Sequence, residues 1–163
     1  MKTSFPKNIQ NYTEYTQNII DHFHTPTRAL FQESLASLET LIKENPEIQE
    51  LKELYKCVDV FSQSMESHLQ KEETILFPLI QRIETTTDLT YKQVLLRPIA
   101  RMEEEHDEHS SHITPLLHYI SLLQNMPVEN VCDTLTKLTQ LIELTEEHIY
   151  VENEQLFKQI KEK

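Results

Sequence analysis

The 163-residue chain contains no glycine. β-Hairpin turns, dinucleotide-binding turns and phosphate-cradling loops use glycine for positive φ or for close approach of the backbone. Its absence weighs against folds built on these features and leaves helices that end at Asn, Asp or Pro. We therefore predict an all-α protein, and residues 1–163 are long enough to form a single domain with its own core.

Four long helical stretches follow from the apolar spacing and from the positions of Asn and Pro. In the second stretch, apolar residues recur at three- and four-residue steps, as expected for one buried face of a helix. The predicted stretches run from about Tyr12 to Glu44, Pro46 to Glu84, Tyr91 to Gln124 and Pro127 to Lys161. Short connections make neighbouring helices antiparallel, which predicts an up-down-up-down four-helix bundle.

Prolines inside these stretches predict local irregularities, because proline lacks the N–H that an α-helix needs. They are Pro26, Pro78, Pro98 and Pro115.

One ten-residue pattern occurs twice, at residues 68–77 and 148–157, and reads H-[LI]-x-x-E-[EN]-x-x-L-F. Residues four apart lie on one face of a helix, so each copy presents an imidazole and a carboxylate beside its apolar residues. A buried carboxylate is costly unless it is paired or bound to a metal. The repeat predicts metal ions held between the second and fourth helices, whereas a single such pair would usually be a surface hydrogen bond.

Histidines from all four helices are expected at one height in the bundle. His24 and His68 lie on opposite sides of Asn45, at similar distances from it along the sequence. The same holds for His68 and His106 about Thr87, and for His106 and His148 about Met126. At about 1.5 Å per residue, these heights agree within one helical turn, so antiparallel packing should bring the four imidazoles into one layer.

Imidazole and carboxylate ligands without thiolate suit iron, manganese or zinc. Two octahedral ions have about twelve coordination positions. Four histidines, two bridging glutamates and a bridging oxo or hydroxo group would fill about ten, which leaves about two open for small ligands. The predicted ligands are His24, His68, Glu72, His106, His148 and Glu152.

The motifs resemble those of the hemerythrin-like di-iron family, and most closely the bacterial repair-of-iron-centres proteins. The matching segments are Phe23-His24, residues 68–78 (H-x-x-K-E-E-x-x-L-F-P), residues 102–107 (M-x-x-E-H-D) and residues 148–157. The resemblance implies a hemerythrin-like bundle with two non-haem iron ions bound by the six residues above. Family members often carry an N-terminal cysteine-containing domain, which this sequence lacks, and a second first-helix histidine where Thr27 stands.

The resemblance implies a cytoplasmic protein that protects or repairs iron centres under nitrosative or oxidative stress, with damaged iron–sulfur proteins as partners. Two alternatives remain open: reversible binding or sensing of oxygen or nitric oxide, and a di-iron oxidoreductase that reduces nitric oxide or peroxide. A helical interaction bundle without metal is a fourth reading.

Several other polar residues remain candidates for roles near the site. His109 is a candidate fifth ligand or a residue beside the ligands, and Glu105 is a candidate proton relay or a residue that orients a ligand. Arg28 and Arg101 are expected to pair with the excess carboxylates.

Charge and hydropathy argue against several classes of partner. A net charge of −12 predicts poor affinity for nucleic acid and anionic membranes. No apolar run approaches the roughly 20 residues of a membrane span, and the first residues lack the apolar core of a signal peptide. Cys57 and Cys132 lack C-x-x-C spacing and are expected to be buried thiols in a reducing compartment.

Overall fold

A computed structural model of the protein describes Phe5, residues 9–88 and residues 90–162. The described residues form four long helices. The first joins α1 (Tyr12–Ile19) to α2 (Thr25–Glu44), and the second joins α3 (Gln49–Lys71) to α4 (Phe77–Gln81). The third is α5 (Tyr91–Gln124), and the fourth joins α6 (Val131–Val151) to α7 (Lys158–Glu162).

The four helices form an antiparallel bundle, as predicted. α2 packs against α3 and α6, and α5 packs against the same two helices, so consecutive helices are neighbours around the bundle. The predicted all-α, up-down-up-down architecture is confirmed. None of the described helices is long and apolar enough to span a membrane.

Two predicted helix starts are wrong by three or four residues. The second helix begins at Gln49 because the Asn45 side chain donates to the Leu41 carbonyl and so caps the end of the first helix instead. The fourth helix begins at Val131, after Asn130 adopts a left-handed conformation with φ 62°. Asparagine tolerates this conformation better than most residues, and it ends the preceding turn before the helix starts.

Three π turns interrupt the first, second and fourth helices in the described part of the chain, at Ile20–His24, Glu72–Leu76 and Glu152–Phe157. The first two stand just before Pro26 and Pro78. A proline clashes with the carbonyl four residues earlier, and a local widening of the helix relieves this clash. By contrast, α5 continues through Pro98 and Pro115 as one α-helix.

The interior contains two apolar clusters, one toward each end of the bundle. The upper core lies near the 45–48 and 125–130 connections and includes Phe31, Leu54, Phe61, Leu116 and Leu138. The lower core lies near the chain termini and includes Phe23, Leu76, Met102, Leu156 and Phe157. Buried polar residues separate the two clusters, and the six predicted ligands are among them.

The two cysteines do not behave as expected. Cys132 is exposed and Cys57 is half-buried, so the expectation of two buried thiols is wrong.

Candidate metal centre

The six predicted ligands gather in one layer of the bundle, and each is at most 1% exposed. They form two overlapping groups of four, and within each group the ligand atoms all lie within 4.8 Å of one another. Both groups contain Glu72 and Glu152. One group adds His24 and His148, and the other adds His68 and His106.

The two carboxylates span the two groups. Glu72 Oε2 lies 3.3 Å from His24 Nε2, and its Oε1 lies 3.2 Å from His68 Nε2. Glu152 Oε1 lies 3.2 Å from His148 Nε2, and its Oε2 lies 3.2 Å from His106 Nε2. Each glutamate therefore offers one oxygen to each group, which is the arrangement of a carboxylate that bridges two cations.

The histidine nitrogens converge in the same way. Nε2 of His24 lies 3.2 Å from Nε2 of His148, and Nε2 of His106 lies 3.1 Å from Nε2 of His68. Each pair comes from two neighbouring helices. Each group thus supplies two imidazole nitrogens and two carboxylate oxygens to one point.

A pair of cations fits this donor set. None of the four oxygens of Glu72 and Glu152 has a well-formed hydrogen bond to another described residue, although all four are buried. Buried carboxylates are paired or bound to metal, because removing their charge from water is costly. Imidazole with carboxylate is a donor set for iron, manganese or zinc.

The two carboxyl groups differ in proton affinity. Burial, together with the negative charge of Glu152, raises the pKa of Glu72 to about 7. Burial acts to raise the pKa of Glu152 as well, but His148 and His106 lower it well below its ordinary value. Two cations placed between these groups would neutralise both carboxylates.

Carboxylates on the outer side orient two of the imidazoles. His24 Nδ1 donates to Glu73 Oε1 at 2.8 Å, and Arg28 also donates to this oxygen at 2.8 Å. His68 Nδ1 lies 3.2 Å from Glu105 Oε2. A hydrogen bond from Nδ1–H holds the tautomer in which Nε2 carries the lone pair for a metal.

Glu105 fulfils the orienting role predicted for it, and basic residues neutralise its outer oxygen. Lys71 Nζ lies 2.8 Å and Arg101 Nε lies 3.2 Å from Glu105 Oε1. The predicted pairing of Arg28 and Arg101 with carboxylates is therefore confirmed. The pKa of Glu105 is lowered because Lys71 and His68 outweigh the opposing effect of burial.

The other two imidazoles have different surroundings. His106 Nδ1 donates to Asn153 Oδ1 at 2.9 Å. The His148 ring stacks on Phe23, with centroids 5.4 Å apart and planes 14° apart. Phe77 and Phe157 stack on His24 and His106 at 5.6 and 6.1 Å, so aromatic rings cover the lower side of the layer.

His109 lies beside the layer but in neither group of four. Its ring is perpendicular to that of His68, with centroids 4.6 Å apart. Burial and then the imidazoles of His68, His106 and His112 lower the pKa of His109 to about 3, so this ring is neutral at physiological pH.

Sequence reasoning did not identify Glu73, Asn153 or the stacking role of Phe23. A signal was present for the first two, because each directly follows a bridging glutamate in the repeated pattern. Their partners lie on a neighbouring helix, and the periodicity of one helix carries no information about that contact.

The chain matches the model of the "Hemerythrin HHE cation binding domain" family over residues 16–160. It therefore belongs to this family, as the motifs predicted, and the buried His/Glu layer is its candidate di-metal centre.

The chain is similar to "Iron-sulfur cluster repair protein YtfE" of Escherichia coli O1:K1 and of Escherichia fergusonii. Each is 28% identical over 151 residues, which cover 88% of this chain and 64% of the relative. The matched region is thus a little under two thirds of the length of these relatives.

Proposed function

We propose that the protein is a non-haem di-iron protein that protects or repairs iron centres under nitrosative or oxidative stress. The observation that carries this proposal is the pair of buried ligand groups that share Glu72 and Glu152. The repair role is supported by the similarity to relatives named as iron–sulfur cluster repair proteins. Damaged iron–sulfur proteins are the proposed partners.

Iron is the metal that best joins this donor set to the proposed role. Each ligand group provides two nitrogens and two oxygens, which is fewer than the six donors of an octahedral ion. Iron held there would supply one-electron redox chemistry and coordination positions for small ligands. An oxo or hydroxo bridge between the ions stays a prediction.

Residues around the layer fix the orientation of the ligands through hydrogen bonds and ring packing. Glu73 and Glu105 each accept a hydrogen bond from an imidazole and are themselves neutralised by basic residues at the surface. Phe23, Phe77 and Phe157 exclude water from the lower side of the layer. These contacts would limit movement of the ligands when the charge of a bound metal changes.

Repair requires that iron leave the site, which can be measured. The protein should take up two iron ions per chain after anaerobic reconstitution. We expect the reduced protein to release iron to a ferrous chelator faster than the oxidised protein, because ferrous ions bind carboxylates less tightly than ferric ions. The same reduced protein should restore activity to a [4Fe–4S] hydratase damaged by nitric oxide.

The matched control is a variant that removes an exposed histidine outside the layer. His118→Ala should keep two irons and full repair, while His148→Ala should lose both properties. Equal iron release in both oxidation states, or repair by the iron-free protein, would contradict the donor role.

Reversible binding of oxygen or nitric oxide is the second candidate function. It is favoured by the four protein donors per ion, since small ligands then need only displace water. A stable, reversible spectral change with either gas, without iron release, would favour this function over repair.

A further inference from the structure

The two sides of the metal layer differ in polarity. The turn below the layer is apolar. Ile20 and Met102 lie there, four residues before His24 and His106. Leu76 and Leu156 lie there too, four residues after Glu72 and Glu152. All four pack in the lower core. The Tyr15 hydroxyl in the same cluster already has a partner, because it donates to Gln155 Oε1 at 3.0 Å. Apart from the glutamate oxygens, no buried polar side-chain atom of the described residues on this side lacks a hydrogen-bond partner.

The turn above the layer contains three polar residues, although it is equally buried. It contains Thr27, Met65, His109 and Thr145, which lie three residues from the four histidine ligands on their respective helices. Each of the four is at most 2% exposed.

Two polar atoms in this upper turn lack a hydrogen-bond partner among the described residues: Thr27 Oγ1 and His109 Nδ1. The Thr145 hydroxyl differs because it donates to the Leu141 carbonyl of its own helix at 2.9 Å. Buried polar groups are nearly always hydrogen-bonded, and leaving one without a partner costs stability. Thr27 and His109 thus have hydrogen-bonding capacity that the protein itself does not use.

A cleft reaches the upper turn from the surface. It has a volume of about 370 Å³, lies between the first and second helices, and includes Thr27 and Met65 in its wall. Phe31, Leu35 and Leu69 make most of its wall apolar, and the Arg28–Glu66 ion pair lies at its edge. The cleft therefore leads from the surface, along one edge of the upper core, to the side chain of Thr27.

We propose that exogenous ligands bind the metal pair on its upper side, where the Thr27 hydroxyl and the His109 imidazole donate hydrogen bonds to them. The ligand class is a molecule of two or three heavy atoms with an acceptor atom at its free end. His109 is then a positioning residue for the ligand, and it does not bind metal. This inference rests on the proposed metal pair and adds the face at which that pair is open.

Azide is a suitable probe because it binds metals at one end and accepts hydrogen bonds at the other. Cobalt(II)-loaded protein should be titrated with azide while the visible cobalt bands are followed, so that the result does not depend on iron. Thr27→Val and His109→Leu should each weaken azide binding roughly tenfold, the effect of losing one hydrogen bond to a charged ligand. Cobalt content should stay at that of the wild type.

Thr145→Val is the matched control, because it makes the same change in the same turn but removes a hydroxyl that already has a partner. Its azide affinity should stay within about twofold of wild type, since no bond to the ligand is lost. Thr27→Ser and His109→Gln should restore most of the affinity, because both keep a donor.

Unchanged affinity in both Thr27→Val and His109→Leu would overturn the proposal. Loss of a cobalt ion in His109→Leu would also overturn it, because His109 would then be a metal ligand. Wild-type protein that holds two cobalt ions but does not bind azide would overturn this inference alone, since iron release and repair are measured without azide.

Discussion

The two halves of the bundle build the metal layer from equivalent positions. The first half comprises the first and second helices, and the second half comprises the third and fourth. Each half supplies two histidines, one of the two shared glutamates and, five residues after that glutamate, a phenylalanine that stacks on a histidine. The equivalent residues are His24 and His106, His68 and His148, Glu72 and Glu152, and Phe77 and Phe157.

The halves differ in the residues that contact the outer side of the imidazoles. The residue after the bridging glutamate is Glu73 in the first half and Asn153 in the second, and each accepts a hydrogen bond from a histidine. The residue before the first histidine is Phe23 in the first half and Glu105 in the second. Phe23 stacks on His148, whereas Glu105 accepts from His68.

These differences give each ligand group one imidazole backed by a carboxylate and one without. The group with His148 contains His24, which is bonded to Glu73, and the group with His106 contains His68, which is bonded to Glu105. The residues that are equivalent in the two halves thus set the geometry of the six ligands. The residues that differ place one carboxylate behind an imidazole of each ligand group, so that negative charge lies beside both metal positions.

The largest expected effect is the loss of iron when either glutamate of the layer is removed. It tests whether each carboxylate contacts both metal positions. Glu72→Ala and Glu152→Ala should each reduce bound iron from two ions per chain to nearly none, because each carboxylate contacts both positions. Iron analysis after anaerobic reconstitution measures this directly. If a variant keeps one tightly bound ion, the glutamate that it lacks contacts only one of the two metal positions.

A smaller effect is expected from the outer hydrogen bonds. Glu73→Gln should weaken metal binding by about tenfold or more, the usual effect of losing an outer carboxylate.

Asn153→Asp makes the second half resemble the first, and it should lower the midpoint potential because His106 becomes more electron-donating. Metal competition and potentiometry measure the two effects, and opposite signs would contradict this view of the charge distribution.

The iron-free protein should show a difference between the two glutamates in its pH dependence. Burial and the charge of Glu152 raise the pKa of Glu72 to about 7, so its favourable contribution at low pH is lost as the pH rises from about 4.5 through 7. At pH 8, Glu72→Gln should therefore raise the melting temperature, by roughly 2–4 °C for each 1 kcal/mol of the relieved cost in a chain of this size. Near pH 4 the gain should vanish.

Glu152 is the comparison residue for that experiment. Burial opposes ionisation of Glu152, but His148 and His106 lower its pKa, so its stabilising contribution is present above about pH 4.5 and is lost as the pH falls below it. Glu152→Gln should lower the melting temperature of the iron-free protein at pH 8. Equal shifts in both variants, measured by thermal denaturation, would contradict the assigned pKa directions.

The bundle and the six residues of the layer could be predicted because they depend on spacing along single helices and on distances from turns. His68 and Glu72 are four residues apart, and antiparallel packing places His24 and His106 at the same height. The roles of Glu73 and Asn153 could not be predicted, because they depend on how two neighbouring helices are rotated against each other.

The helix end at Asn45 and the π turn in the fourth helix could not be predicted either, because residue types alone do not determine them. Asn45 is compatible with either the end of one helix or the start of the next, and only the contact with Leu41 selects the first. The π turn at Glu152–Phe157 contains no proline and has none close after it, so no residue type indicates it. Its register depends on the packing of Leu156 and Phe157 in the lower core.

The smallest expected effect concerns the stacked rings, where the halves should behave alike. Phe77 and Phe157 occupy the same position in the repeat and stack on His24 and His106, with planes 22° and 10° apart. Phe77→Leu and Phe157→Leu keep most of the apolar volume and lose a ring contact of about 1 kcal/mol. Each should lower the melting temperature by roughly 2–4 °C and leave two irons bound. Loss of iron in only one of them would show that its ring positions a ligand and that the halves are not equivalent there.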